Sequence, residues 1–320
     1  MGNERIWVAA ASAMALEDAD PVLPVEVVLR LARRHVLTAS AVTAVDESGR
    51  KGRAYFIDDS IVLKTHRPAR LRARVVEEFE TSLEKEAFFL SQLARDASIP
   101  APEPLGYGRE NGVEYVCMTR VPGVPLRRAD LTSEQRQRVL CDLGRTLRRL
   151  HALPLAPFSE SGLFAEDGGS GELKARLETL FSQIVAAANE LPEEWRLRLS
   201  AEEVAARALE ALPDTTHRAP LHSNPAGEHI FVNLETVALS GLIDFGDAYI
   251  SHPAFDLRPW RNPADRSAVY AGYTDQGPVD DAFARTWRVG LILGELASVL
   301  RRREPPGRAE DNLHSLLQEI

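Results

Sequence analysis

A single carboxylate occupies the apolar face of a helix that the sequence predicts from about residue 70 to 95. The apolar stripe of this helix consists of Phe79, Leu83, Leu90 and Leu93. At 3.6 residues per turn these side chains fall within about 80° of arc, and Glu86 lies in the middle of that arc. An unpaired carboxylate on a buried face costs several kcal/mol or becomes protonated, so Glu86 is expected to have a basic partner.

Lys64 is the natural candidate for that partner. It follows the apolar residues Ile-Val-Leu of a predicted strand, in a chain that holds only four lysines against 34 arginines. A buried pair between Lys64 and Glu86 is therefore predicted. The alternative is that Glu86 reaches the edge of its helix while Lys64 ends its strand in water.

A second group of polar residues has the types and the spacing of a cation site. Asp244 follows Gly-Leu-Ile at a strand end and precedes Phe-Gly, where a carboxylate can bind a hard divalent cation. Asn224 and His229 flank the loop before Ile-Phe-Val, which can aim both at the same ion. Alone, such an Asp is more often a turn former and such a His a surface or core residue. Their joint spacing is what indicates a site.

Two different patterns of elements must position these residues. Up to about residue 118 the chain is mixed, with a helical start, three β-prone pieces broken at 47–52 and 58–59, the helix described above, and a strand pair. Beyond it the pattern is mostly helical, with one β-rich insert, HIFVNLETVALSGLIDF. Further helices are predicted at 6–16, 132–151, 173–189, 201–211 and about 282–303. The fold class is therefore α+β.

Composition excludes several classes of protein. The chain has 320 residues, 44% apolar and 27% charged, which suits about two packed units. Its net charge of −9 argues against a nucleic-acid surface, which needs clustered basic charge. No stretch without charged residues exceeds 11 residues, against the ~20 apolar residues of a membrane-spanning helix. A cytoplasmic protein without a nucleic-acid or membrane partner is expected, and the oligomeric state is not predicted.

The order of motifs in the second half resembles the aminoglycoside phosphotransferase superfamily, small-molecule kinases that include macrolide, hygromycin, choline and fructosamine kinases. The family pattern is His-x-Asp, four residues, Asn or His, a short strand, Ile-Asp-[Phe/Trp]-Gly-Asp and a later Asp-Leu. The matching residues here are His222, Asn224, His229, the IDFGD segment at 243–247, Asp256 and Leu257. The resemblance runs from about Val42 to the C-terminus and implies a bilobal, protein-kinase-like fold.

By this resemblance, residues 1–118 form a small nucleotide-binding lobe with an antiparallel sheet and a helix. A hinge follows at about 118–123, and residues 124–320 form a larger helical lobe with the catalytic loop, the metal site and the acceptor pocket. The resemblance implies ATP or GTP as phosphate donor and Mg²⁺ as cofactor. Lys64 would hold the α- and β-phosphates and be positioned by Glu86, while Asp244 and His229 would bind Mg²⁺.

The nucleotide would have further contacts in the first lobe. The strand end at Met118 resembles a hinge whose main chain pairs with the purine, through Thr119 and Val121. The ESGRKG stretch, with Gly49 and Gly52, is either a loop that covers the phosphates or an ordinary hairpin turn.

The catalytic loop departs from the family pattern. It contains His222, and Asp256 would brace it by hydrogen bonds. His229 stands where many members have Asn, although an imidazole suits Mg²⁺ less well than an oxygen ligand.

Asn224 replaces the aspartate that accepts the proton of the acceptor hydroxyl, and losing a general base typically costs ~10²–10⁴-fold in rate. Three explanations are open: an engineered change in an active enzyme, a natural enzyme with weakened or rerouted chemistry, or binding without turnover. Glu228 is either a substitute base or a solvated carboxylate.

The expected function is transfer of the γ-phosphate of ATP or GTP to a hydroxyl of an antibiotic of the aminoglycoside, macrolide or nucleoside type, for resistance or self-protection. A metabolite kinase with the same core is one alternative. A catalytically silent, nucleotide- or ligand-binding pseudokinase is another, and Asn224 favours it. The acidic residues that line the acceptor pocket, or else form solvated surface, are Glu166, Asp167, Asp275, Asp280 and Asp281.

Overall fold

The computed structural model describes residues 22–49, 51–67, 82–300 and 306–320. The helix predicted at 6–16 lies outside these residues, as do residues 70–81 of the helix predicted at 70–95 and the last residues of the helix predicted at 282–303. Within the described ranges, no helix is long and apolar enough to cross a membrane.

The described residues divide into two compact units. The described residues of the first unit fall within Met1–Pro122 and Gly241–Asp247. Those of the second unit fall within Gly123–Ser240 and Ala248–Ile320. The sequence predicts a single boundary near 118–123 and assigns 241–247 to the second lobe. The structure instead groups that short segment with the first unit, because its residues pack on the first unit's helix.

The first unit is built on a five-stranded antiparallel sheet with the order β1-β2-β3-β5-β4. Its strands are β1 (Val42–Asp46), β2 (Gly52–Ile57), β3 (Ile61–His66), β4 (Pro104–Glu110) and β5 (Val113–Thr119). Burial alternates along β2 and through most of β3, as expected for strands with one face on the core. Helix α1 (Val25–Arg33) packs its buried Leu31 into the core with Tyr55 and Leu63 of the sheet. The predicted β-prone pieces and strand pair are confirmed.

Helix α2 (Leu83–Leu93) carries Leu83, Leu90 and Leu93 of the predicted apolar stripe, while Phe79 lies outside the described residues. Ser82 caps its start by accepting the backbone N–H of Lys85. Leu83, Leu90 and Glu86 are all buried, so the carboxylate does lie on the packed face.

A buried polar cluster lies on the same sheet around Glu114. The hydroxyl of Tyr107 donates to Oε1 of Glu114 at 2.7 Å, and Nε2 of His66 lies 3.2 Å from Oε2. Burial alone raises the pKa of Glu114, but the hydrogen bonds from His66 and Tyr107 outweigh it and lower the pKa to about 2. Glu114 therefore stays ionised although only 12% of its side chain is exposed.

The second unit is mostly helical. Its helices are α3 (Ser133–Leu150), α4 (Ala156–Glu160), α5 (Ser170–Asn189), α6 (Ala201–Ala211), α7 (Pro263–Thr274), α8 (Asp281–Leu300) and α9 (Pro306–Gln318). Thr132 caps α3 in a capping box with Gln135, which confirms the predicted start. The helices predicted at 132–151, 173–189, 201–211 and 282–303 are present within the described residues. Helices α4, α7 and α9 were not predicted from the sequence.

Helices α3 and α7 cross with their backbones in contact. A Cβ at Gly144 of α3 would lie 2.1 Å from the carbonyl oxygen of Val269, and one at Gly272 of α7 would lie 1.9 Å from that of Cys141. No side chain fits into either space. Glycine at both positions is therefore what allows this crossing.

Two small sheets anchor the loop that contains Asn224. Strand β7 (Ala219–Leu221), just before the loop, pairs antiparallel with β10 (Tyr249–Ser251). Strand β8 (Ile230–Asn233), just after it, lies between β6 (Val124–Pro125) and β9 (Ala238–Leu242). The loop at 222–229 is therefore tied down at both ends.

Candidate functional site

Lys64 lies on β3, the central strand of the large sheet, and holds two carboxylates. Its Nζ donates to Oε2 of Glu86 at 2.7 Å and also to Oδ1 of Asp244. The side chain of Glu86 is 1% exposed, that of Lys64 16% and that of Asp244 37%. The predicted contact of Lys64 with Glu86 is present, and the structure adds Asp244 to it. The ammonium is thus held from inside by one carboxylate and on its open side by another.

Helix α2 and the turn after Asp244 are packed together, which positions both carboxylates. The backbone N–H of Ser82 donates to the carbonyl oxygen of Gly246 at 3.1 Å. The rings of Phe89 and Phe245 stack with their centroids 4.8 Å apart. Asp244 itself has φ +73°, a conformation that costs free energy for any residue other than glycine. The packed turn holds it there and aims its carboxylate at the ammonium.

Charge and burial act in opposite directions on this pair. Burial by itself lowers the pKa of Lys64, but the carboxylates of Asp244 and Glu86 outweigh it and raise that pKa well above its ordinary value. Burial raises the pKa of Glu86, and the positive charge of Lys64 opposes that shift. Lys64 therefore keeps its positive charge over the whole physiological range of pH.

The turn between β1 and β2 lies over the same group of residues. Gly52 leaves room for Lys64, because a Cβ there would lie 2.9 Å from Cε of that lysine. A Cβ at Gly49 would lie 2.6 Å from the carbonyl oxygen of Gly52, so the turn is too tight for a side chain. From this turn Lys51 donates to Asp247 at 2.9 and 3.1 Å. Lys51 was not predicted as a site residue, although the scarcity of lysine in the chain was a signal that pointed to it.

The residues of the predicted hinge differ in the hydrogen bonds that their backbone N–H and carbonyl groups make. Met118 and Val121 are buried. The backbone N–H of Thr119 already donates to the carbonyl oxygen of Glu103 at 2.9 Å, so the predicted purine contact at Thr119 would have to use its carbonyl. For Val121 the structure shows no backbone hydrogen bond to another described residue.

In the second unit, Asp256 is fully buried and binds the start of the loop at 222–229. Its Oδ2 accepts the backbone N–H of His222 at 2.8 Å, and its Oδ1 accepts that of Ser223 at 2.7 Å. Nε2 of His151 lies 3.0 Å from the same Oδ2. Because a carboxylate only accepts, Nε2 carries a proton, and Nδ1 of the same ring lies 3.0 Å from the hydroxyl of Tyr273. The brace expected of Asp256 is thus present; His151 and Tyr273 were not predicted to support it.

The loop itself holds a strained residue next to Asn224. Ser223 has φ +76° and is buried, so the carboxylate of Asp256 helps to hold it in that conformation. Asn224 is exposed, and its carbonyl oxygen accepts Nδ1–H of His229 at 2.8 Å. Because a carbonyl oxygen only accepts, Nδ1 of His229 carries a proton, and Nε2 is the ring nitrogen that a metal could bind. His222 is fully buried, so it supports the loop from inside and does not offer its ring to a substrate.

Several acidic residues considered for the acceptor pocket are occupied within the second unit. Asp167 is buried and accepts Nε and Nη2 of Arg176, at 2.9 and 2.8 Å. Asp275 pairs with Arg145. Asp280 accepts the backbone N–H of Phe283 at the start of α8. Each of these three carboxylates therefore has a hydrogen-bond partner within the second unit.

The donor set suits Mg²⁺. In the described part of the chain, no group of three or more His, Cys, Asp or Glu side chains is gathered as a metal site. Mg²⁺ usually takes only one or two protein carboxylates and completes its shell with water and phosphate oxygens. The half-exposed carboxylate of Asp244 matches that requirement.

The sequence matches the model of the family described as "Phosphotransferase enzyme family" over residues 43–310. The GDP complex of a point mutant of aminoglycoside 2'-phosphotransferase-IIIa is similar in structure, with a TM-score of 0.62, 19% identity and coverage of 92% of this chain and 97% of that chain. The apoenzyme of a macrolide 2'-phosphotransferase from Brachybacterium faecium has a TM-score of 0.61, 19% identity and coverage of 91% and 98%. The streptomycin–ATP–APH(2″)-IIa ternary complex has a TM-score of 0.54, 14% identity and coverage of 93% and 97%.

No curated protein matches the sequence. At such low identities the solved structures show a shared fold, in which an antiparallel sheet with its helix precedes a mostly helical part. This is the α+β, kinase-like fold that the sequence predicts.

Proposed function

Because the chain belongs to the phosphotransferase enzyme family, we propose that it moves the terminal phosphate of ATP or GTP to a hydroxyl of a small molecule. An antibiotic is the proposed acceptor, with resistance or self-protection as the result. Solved structures of the same fold hold GDP, or ATP together with streptomycin, which supports this choice of donor and acceptor.

The observation that carries the proposal is the position of Lys64 between Glu86 and Asp244. Phosphoryl transfer depends mostly on positioning and on neutralising charge. Lys64 keeps its charge and is held by the buried Glu86, so its ammonium can stay in place while it donates to the donor's phosphates. The main chain at Thr119 and Val121 offers one carbonyl and one N–H to the purine.

Mg²⁺ is the proposed cofactor, with Asp244 as its carboxylate ligand and His229 as a candidate imidazole ligand. Bound Mg²⁺ would neutralise charge on the phosphates. Asp244 also contacts Lys64, so the same carboxylate would face both the ammonium and the cation. Asp256, His222 and their partners hold the loop that presents Asn224.

Asn224 supports a second candidate function, nucleotide or ligand binding without turnover. Its exposed amide cannot accept the proton of an acceptor hydroxyl. Transfer through a loose transition state still proceeds without a strong base, at a lower rate. The two candidates therefore differ in one measurable quantity, the rate of transfer once a nucleotide is bound.

The experiment compares the wild-type chain with Asn224→Asp. Binding of ATP and GTP is measured by calorimetry with Mg²⁺, and phosphate transfer is measured against a panel of aminoglycosides, macrolides and nucleoside antibiotics. Asn224→Asp is expected to raise transfer at least about tenfold at similar nucleotide affinity. Asn111→Asp, on the exposed turn between β4 and β5, makes the same charge change and should leave transfer unchanged.

Two outcomes would change the proposal. Intact nucleotide binding without transfer in both forms would support the silent binding protein. Lys64→Ala and Asp244→Ala should each weaken binding of the magnesium nucleotide, and unchanged affinity in both variants would remove the nucleotide site from these residues.

A further inference from the structure

Two of the four lysines in the chain reach the two aspartates of one short segment. Lys64 donates to Asp244, and Lys51 donates to both carboxylate oxygens of Asp247, at 2.9 and 3.1 Å. Lys64 lies on β3, and Lys51 lies in the turn just before the neighbouring strand β2, where Gly52 pairs with His66 and Ala54 pairs with Lys64. The IDFGD segment therefore meets two ammonium groups from the same end of the sheet.

Two buried arginines fix the turn that presents Lys51. The guanidinium of Arg67 donates to the carbonyl oxygen of Glu47 and to that of Gly49, the latter at 3.2 Å, and its backbone N–H donates to the carbonyl oxygen of Lys51 at 2.8 Å. Arg53 donates to the carboxylate of Glu47 at 2.7 and 3.1 Å. Both arginines are buried. The turn is thus held by charge-assisted hydrogen bonds beneath it, and these do not depend on the contact between Lys51 and Asp247.

Lys51 can readily exchange its contact with Asp247 for a contact with a phosphate. Its side chains are 28% and 35% exposed, and a pair this open to water contributes little to stability. Lysine is a compact point charge on a flexible stem, so its ammonium can move from a carboxylate to a phosphate oxygen without moving the backbone. The whole group holds two ammonium ions, Lys51 and Lys64, and three acidic side chains, Glu86, Asp244 and Asp247. The carboxylates thus accept hydrogen bonds from the same ammonium donors that a polyphosphate would use.

We propose that Lys51 is a second phosphate-binding residue, which donates to the terminal phosphates of the nucleotide alongside Lys64, and that Asp247 holds it when no nucleotide is bound. This inference rests on the nucleotide-binding function proposed above. In this proposal the ESGRKG turn binds phosphate through the side chain of Lys51. The role of Gly52 is to leave space for Lys64. The competing account is that the Lys51–Asp247 pair is a clamp that ties the turn to the IDFGD segment.

The test measures the affinity for nucleoside triphosphate, nucleoside diphosphate and free nucleoside by calorimetry, at fixed salt, with Mg²⁺ and again in EDTA. Lys51→Ala is expected to weaken triphosphate binding about tenfold, the size of one charge-assisted hydrogen bond, and to leave nucleoside binding unchanged. Lys51→Arg keeps the charge and should retain part of the affinity. Lys174→Ala, on the exposed face of α5, is the matched control and should bind like the wild type.

Asp247→Asn separates the two accounts. If Lys51 binds phosphate, removing the competing carboxylate leaves triphosphate affinity in EDTA unchanged or higher, opposite in direction to Lys51→Ala. Equal losses in both variants would show a clamp and overturn the proposal, as would a Lys51→Ala variant that binds triphosphate like Lys174→Ala. If the wild type binds no nucleotide, the proposed function fails together with this inference. Melting curves of all variants establish that they are folded.

Discussion

Replacing Asp256 by asparagine tests whether one buried carboxylate holds the loop that presents Asn224. In the wild type, Oδ2 accepts two donors, the N–H of His222 and Nε2–H of His151, while Oδ1 accepts the N–H of Ser223. An amide has one oxygen. Its best orientation keeps the two donors at Oδ2 and turns its own NH₂ group towards the N–H of Ser223.

The expected cost follows from that arrangement. One charge-assisted hydrogen bond is lost, and a buried N–H is left facing another donor, so Asp256→Asn should lower the free energy of unfolding by about 2 to 4 kcal/mol. The loss also removes a contact that holds Ser223 at φ +76°, so this residue is free to relax. Hydrogen exchange should then speed up at the amide of Ser223.

Urea unfolding followed by circular dichroism measures the difference, and exchange mass spectrometry locates it. The matched control is Asp214→Asn, an exposed aspartate in the loop after α6, which should change the free energy by less than about 0.5 kcal/mol. If Asp256→Asn differed from the wild type by no more than this control, the bracing role would be refuted.

Three further predictions concern the first unit and the cysteines. Gly52→Val should lower magnesium-nucleotide affinity about tenfold, because its side chain would displace Lys64 from its carboxylates; affinity equal to the wild type in calorimetry would contradict the geometry. Glu114→Gln should lower the free energy of unfolding at pH 7 by about 1 to 2 kcal/mol. Because folding lowers the pKa of Glu114 from 4.5 to about 2, this difference should shrink as the pH falls through that interval, and a constant difference in urea titrations would count against it. Burial raises the pKa of Cys117 to about 11, so at pH 8 iodoacetamide should modify the half-buried Cys141 first, as peptide mapping can show.

The parts of the site that could be predicted are those with a local signal. Glu86 could be predicted from the apolar stripe of α2. A charged residue within such a stripe can be recognised from the sequence of the neighbouring helical turns alone. The cap of α3 at Thr132 was visible for the same reason. The contact of Lys64 with Glu86 followed from the cost of burying a carboxylate, and both residues are where that argument places them.

Other features had no local signal. Helix α7 packs on α3 through Gly144 and Gly272, and a helix that packs by glycine carries too few large apolar residues to show a stripe. Its start at Asn262, an N-cap followed by Pro263, was the one available sign. The contact between Lys51 and Asp247 joins residues 196 positions apart, so only the folded chain brings them together.

The crossing of α3 and α7 sets the precision with which His151 and Tyr273 meet. Both residues lie at the ends of these helices, and their contact belongs to a chain of hydrogen bonds that runs through Asp256 to the backbone of the loop at 222–229. Where helices pack through interlocking side chains, rotamer changes allow the helices to shift against each other. Where two backbones are in van der Waals contact, no rotamer change can accommodate such a shift. Helices α3 and α7 should therefore move together as a rigid unit. A displacement at the outer face of this pair should then displace the loop at 222–229 by a similar amount.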